Sequence, residues 1–214
     1  MPRIVFPGNP WPDGHRIAQF AWTGRYDLEG LWFDFHLETA AYDEGDSGSE
    51  GTEDWTAPIA WNNYHHCTLS TRKWGDRGVF VGDENRPFDL TQLRTLTADP
   101  LPISKADFRE TRSFGIYLLG HDAVADHRWQ FSRVGGSDFR IDWTGKIALA
   151  YVGDDEFKYT FRAHHPAAHF GGFASESGAS DREAQAVFND LVRDPALYRR
   201  ERLGDVVWMR PEPH

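Results

Sequence analysis

The sequence predicts a mainly β, α+β protein, built of antiparallel β-meander sheets that form a sandwich or a curled half-barrel, with one C-terminal amphipathic helix. Three observations carry that expectation. The stretch GLWFDFHLET, 30–39, sets Leu31, Phe33, Phe35 and Leu37 on one parity and Trp32, Asp34, His36 and Glu38 on the other. Successive side chains of a strand point to opposite faces, so the odd set reads as a core face and the even set as a polar face. Between 128 and 163 the same alternation recurs in three segments. After Ser180 the period changes to that of a helix.

Taken in order, Ile17–Tyr26 and Leu31–Tyr42 read as a hairpin, closed by Asp27-Leu28-Glu29-Gly30 with Gly where such a loop needs positive φ. The segment 43–54 holds six carboxylates and three glycines without an apolar anchor, and is expected to be a mobile acidic surface loop. Tyr64–Trp74 is expected as a strand returned through 75–78 by Val79-Phe80-Val81. Residues 83–105 are turn-rich, with one helical turn around Leu90–Leu96. Ser113–Gly120 is apolar on both parities at 116–119, as in a strand covered on both faces.

The clearest β pattern follows. Trp129 and Phe131 alternate up to the turn Gly135–Asp138, and Phe139, Ile141, Trp143, Ile147, Leu149 and Tyr151 then hold one parity, with Gly145 at an expected bend. Phe157, Tyr159 and Phe161 continue it as a third antiparallel strand. Ser180-Asp181-Arg182-Glu183 has the form of a capping box, and Ala184, Val187, Phe188, Leu191 and Val192 place a helix over about 181–193. Pro195 stops it. A short helical stretch near Ala196–Arg202 and a last strand, Asp205–Met209, are expected beyond. No repeat and no break in composition divides the chain, so 1–214 reads as a single domain.

Composition narrows the function. The formal net charge is −10, from 33 acidic against 23 basic residues, which disfavours nucleic acid and anionic membrane surfaces as partners. Cys67 is the only cysteine, so there is neither an intramolecular disulfide nor a CxxC site. The Pro-rich N-terminus lacks the apolar core of a signal peptide, and no run suits a membrane span, so a cytoplasmic location is expected. Phosphate-loop, nucleophile-elbow and metalloprotease motifs do not occur.

The remaining chemistry lies with ten histidines. Asp34, His36 and Glu38, under Trp32, could converge on a ligand or do acid–base work, with Trp32 and His36 as ligand contacts. His65, His66 and Cys67 offer soft-metal donors. In HDAVADH a hairpin loop would gather His121, Asp122, Asp126 and His127, the residue types best suited to a divalent metal. His164, His165 and His169 read as a polar loop, since Pro166 limits any helix to its first turn. No cofactor and no resident metal are expected. The favoured function is a non-enzymatic binding protein whose acidic surface masks a basic protein partner or takes a small molecule. The alternative is a small-ligand- or metal-dependent enzyme using the Trp32/Asp34/His36/Glu38 face of a curled sheet.

Overall fold

Residue alternation is realised as one large curled sheet. The computed structural model describes residues 1–42, 54–74, 76–103 and 111–212. Among these, twelve strands occur: β1 (Arg3–Val5), β2 (His15–Asp27), β3 (Gly30–Thr39), β4 (Thr68–Ser70), β5 (Val79–Gly82), β6 (Thr95–Ala98), β7 (Gly115–Tyr117), β8 (Ala123–Gly135), β9 (Asp138–Ala148), β10 (Tyr159–Ser175), β11 (Tyr198–Leu203) and β12 (Val206–Pro211). Two α-helices accompany them, α1 (Pro58–Asn62) and α2 (Asp181–Leu191). The acidic stretch expected as a loop lies, but for Asp54, outside the described residues.

The main path of the sheet is β6-β8-β9-β10-β1-β2-β3-β4-β7, with β12 and β11 branching from β10 and β5 from β3. Pairing is antiparallel except in one place. The short β1 is antiparallel to both β10 and β2 and fills the space between them. Where β1 ends, β10 and β2 pair directly, and two strands each antiparallel to a third must run parallel, as Phe170–Ser175 do beside Trp22–Tyr26.

Curling brings the odd face of β3 against β8 and β9, five and four places away along the sheet. Phe35 stacks on Trp129 at 5.4 Å, Trp129 on Trp143 at 5.2 Å, and Trp22 lies 5.3 Å from Phe131. All five rings are buried. This aromatic stack is the reason the alternation matters: each strand contributes large apolar area on one face only, and burial of that area is the main stabilising term. Gly145, opposite the register shift between Ala125 and Arg128 in β8, belongs to this packing: a Cβ there would lie 2.5 Å from the Phe161 ring and 3.1 Å from His127 Nδ1.

Helix α2 starts as its sequence requires. Ser180 Oγ accepts the Glu183 N–H at 3.3 Å, and the Ser180 N–H donates to the Glu183 carboxylate at 3.1 Å. Ala184, Phe188 and Leu191 face inward, with Phe188 5.2 Å from Tyr26 and 5.0 Å from Tyr198. Among the described residues no helix is long and apolar enough to cross a membrane.

Several expectations are corrected. β4 spans only 68–70 and does not return to β5; both pair with β3, at 36–38 and 31–33 respectively. The turn after 90 is a 3-10 turn, Leu90–Gln92, followed by strand β6. Only Pro195–Leu197 is helical in the stretch after α2, and β11 takes the rest. His164–His169 lies within β10, not in a loop: a bulge between His165 and Ala168 absorbs Pro166, which has no N–H to give a ladder. Tyr151 leaves the core and is 60% exposed, because β9 ends at Ala148 and a 3-10 turn rotates it outward.

Candidate functional site

The row on β3 faces outward, but its members have separate partners. Asp34 is buried although it points away from the core. Arg25 Nη1, from β2, donates to its Oδ1 at 2.5 Å, and Thr71 Oγ1 donates to the same oxygen at 2.9 Å. Its other oxygen, Oδ2, is buried without a hydrogen-bond partner among the described residues, with Arg72 Nε 3.9 Å away. His36 is half-buried; burial lowers its pKa, the nearby Lys73 adds to that, and Glu38 opposes it. Glu38 lies 3.9 Å from His66 Nε2 and accepts from Gln19 Nε2 at 3.4 Å. The two carboxylates therefore do not converge on His36.

The other groupings are also dispersed. Cys67 is fully buried and burial pushes its thiol well up, so it is a neutral packing group. The loop expected in HDAVADH does not form, because β8 already begins at Ala123. His121 is exposed against Tyr117 and Trp74. Asp122 is buried and accepts the Leu119 N–H at 3.0 Å. Asp126 faces outward to Arg128 at 3.2 Å, and His127 is sealed in the core. On β10, His164 and His169 pair with Asp142 and Asp138 of β9 at 2.7 and 2.8 Å, while His165 stacks on Phe20. Among the described residues no group of three or more His, Cys, Asp or Glu could hold a metal.

One member of the opening row does reach a shaped site. Trp32 lines an open groove of about 560 Å3, together with Phe80, Ser113, the arginines Arg77 and Arg86 and the carboxylates Glu29 and Asp99. Trp32 and Phe80 meet edge to face at 5.7 Å, and the Arg86 guanidinium lies 5.6 Å from the Phe80 ring. Arg25 sits 5.7 Å from the Trp32 ring and also donates to the Arg77 carbonyl. Among the described residues neither Arg77 nor Arg86 has a carboxylate partner.

Asp99 forms the inner wall. Its backbone has φ 51°, a left-handed conformation that costs energy for a non-glycine residue. Its carboxylate accepts the Ser113 N–H at 3.0 Å and the Ser113 hydroxyl at 3.1 Å, and burial raises its pKa against those bonds. Behind it stands His127. The Trp143 indole N–H donates to His127 Nδ1 at 3.2 Å. An indole N–H can only donate, so Nδ1 carries the lone pair and the ring proton sits on Nε2. That proton faces Asp99 Oδ2 at 3.8 Å, beyond hydrogen-bond length. Burial lowers the His127 pKa to about 3. The imidazole is therefore neutral and inaccessible, and the Ser113 hydroxyl bonds to Asp99 directly and not through it.

Trp32 was legible in the sequence, whereas Arg77, Arg86 and Asp99 were not: they come from the turn before β5, the turn after it and the end of β6, and share no spacing. Compared with known proteins, the chain matches no family model, no curated protein and no solved structure.

Proposed function

We propose that the protein is a non-catalytic binding protein that takes an anionic ligand bearing a planar group in the groove beside Trp32. The observation that carries this reading is Arg86 over the Phe80 ring with Arg77 in the same groove, both free of carboxylate partners among the described residues although Glu29 and Asp99 also line it. Arginine is suited to that role, because its planar fork pairs with carboxylates and stacks on rings. Catalysis is the weaker reading, since Asp34 is already ion-paired and His127 has no path to the groove. A masked basic partner, suggested by the charge of 43–54, gains no support from this arginine-flanked surface.

Calorimetric titration with 2-naphthoate tests the proposal on the intact chain. Saturable binding is expected, and it should be lost in W32A and in the double variant R77Q/R86Q with unchanged circular dichroism. Absence of saturable binding, or binding that survives both changes, refutes it.

A further inference from the structure

The exposed face of β8–β10 carries a second constellation, separate from the groove. Antiparallel register sets Arg128, Thr144 and Arg162 opposite one another across β8, β9 and β10. One step along the same face, Lys146 stands opposite Thr160. Their neighbours Trp129, Trp143 and Phe161 are buried, so alternation turns this set to solvent. Arg128, Arg162 and both threonines are exposed, and Lys146 is half-buried. The five line an open pocket of about 490 Å3 with Asp126 as the one carboxylate among its lining residues.

Three cations against one anion is an uneven balance in a chain with ten more acidic than basic residues. Asp126 is engaged by Arg128, at 3.2 and 3.3 Å. Lys146 and Arg162 have no ion pair among the described residues. Adjacent strands lie about 4.8 Å apart, so Arg128 and Arg162 rise from backbones roughly 10 Å apart with Thr144 between them. Basic side chains of that length, on that spacing, are able to reach a common oxyanion above the two hydroxyls.

We infer that this face binds phosphoryl groups, with Lys146 and Arg162 supplying charge, Arg128, already paired with Asp126, supplying further N–H donors, and Thr144 and Thr160 supplying neutral donors. A phosphoryl group presents three acceptor oxygens and close to two negative charges, which matches donors converging from three strands better than a planar carboxylate does. A single-stranded nucleic acid is disfavoured, because such surfaces stack bases on exposed rings. The outward residues of the three strands around the pocket, Arg128, Gln130, Asp142, Thr144, Lys146, Thr160, Arg162 and His164, include no Phe, Tyr or Trp. The ligand is then a small phosphorylated molecule, bound independently of the Trp32 groove.

The test is calorimetric titration of the intact chain with pyrophosphate, with inorganic phosphate and a twelve-base oligonucleotide as parallel probes. Saturable pyrophosphate binding is expected, weakening by about a hundredfold in K146Q/R162Q, roughly tenfold for each charge-assisted bond lost. R77Q/R86Q should leave it unchanged, which separates this site from the groove. Should the double variant fold poorly, amide shifts of 144–146 and 160–162 in the unaltered chain on adding pyrophosphate supply the second readout. Equal affinity for phosphate and pyrophosphate supports recognition of a single phosphoryl group, and tighter pyrophosphate supports a diphosphoryl ligand. No binding, binding indifferent to K146Q/R162Q, or an oligonucleotide preferred over both small probes overturns the inference.

Discussion

Replacing His127 by Phe should flatten the acid side of the stability profile. In the unfolded chain the imidazole takes up a proton near pH 6.5, whereas in the folded protein burial defers this to about pH 3. Within that window the unfolded state binds more protons, so stability is fully present above pH 6.5 and falls as the pH falls towards 3. Between pH 7 and pH 5 this one proton removes about 2 kcal/mol. His127→Phe abolishes that loss. It also leaves the Trp143 N–H without its acceptor, a cost of about 1–3 kcal/mol that is the same at both pH values. His15, whose pKa burial lowers to about 4, acts in the same direction. The buried carboxyls Asp76, Asp99 and Asp122, all raised by burial, act in the opposite one. His15, Asp76 and Asp122 are common to wild type and variant and cancel in the comparison; Asp99, 3.8 Å from His127, is controlled by repeating it in the Asp99→Asn background. Urea denaturation at the two pH values, followed by far-ultraviolet circular dichroism, measures the difference. If the variant loses as much stability as wild type between pH 7 and pH 5, to within about 0.5 kcal/mol, the assignment of His127 as a neutral core group fails.

Two further outcomes follow from the same geometry. Ile147→Ala removes a fully buried side chain packed inside the curl and should cost about 2–4 kcal/mol in chemical denaturation; a loss below about 1 kcal/mol would contradict its place in the core. By NMR, His36 should titrate below pH 6.5, and Glu38→Gln should lower its midpoint further by removing a nearby negative charge that opposes burial; an unmoved or raised midpoint would contradict that influence.

How much was legible depends on whether the information is local. Leu31, Phe33, Phe35 and Leu37 announce their face because a strand's period is built into each pair of neighbours, and the Ser180–Glu183 cap is complete within four residues. Tyr151 fits the same parity and yet lies outside, since the strand ends three residues earlier and parity says nothing of where a strand stops. Pro166 suggested a loop because a bulge in a long strand leaves little local trace. The environment of Asp99 requires β6 to lie beside β8 and Ser113 to return to it, which no spacing within either segment encodes. Net charge misleads in a related way, because it averages over a surface that the sheet sorts by face and strand. The residues of an acidic chain can thus still assemble Arg128, Lys146 and Arg162 on one patch.

The junction at β10 has a consequence for how the chain reaches this state. That one strand borders β9, β1, β2 and β12, and it comes late in the sequence. During synthesis the β2–β3 hairpin emerges first, with the edge of β2 lacking its final neighbours. Until residues 159–175 arrive, the Trp22 ring has no Phe170 to cover it, and β9 presents an unpaired edge. Exposed edges and apolar faces of that kind recruit other chains, and ladders between segments so distant in sequence form slowly. A chain cut short before Tyr159 would therefore keep the β2–β3 and β8–β9 hairpins and lose the strand that closes the sheet, leaving aggregation-prone edges.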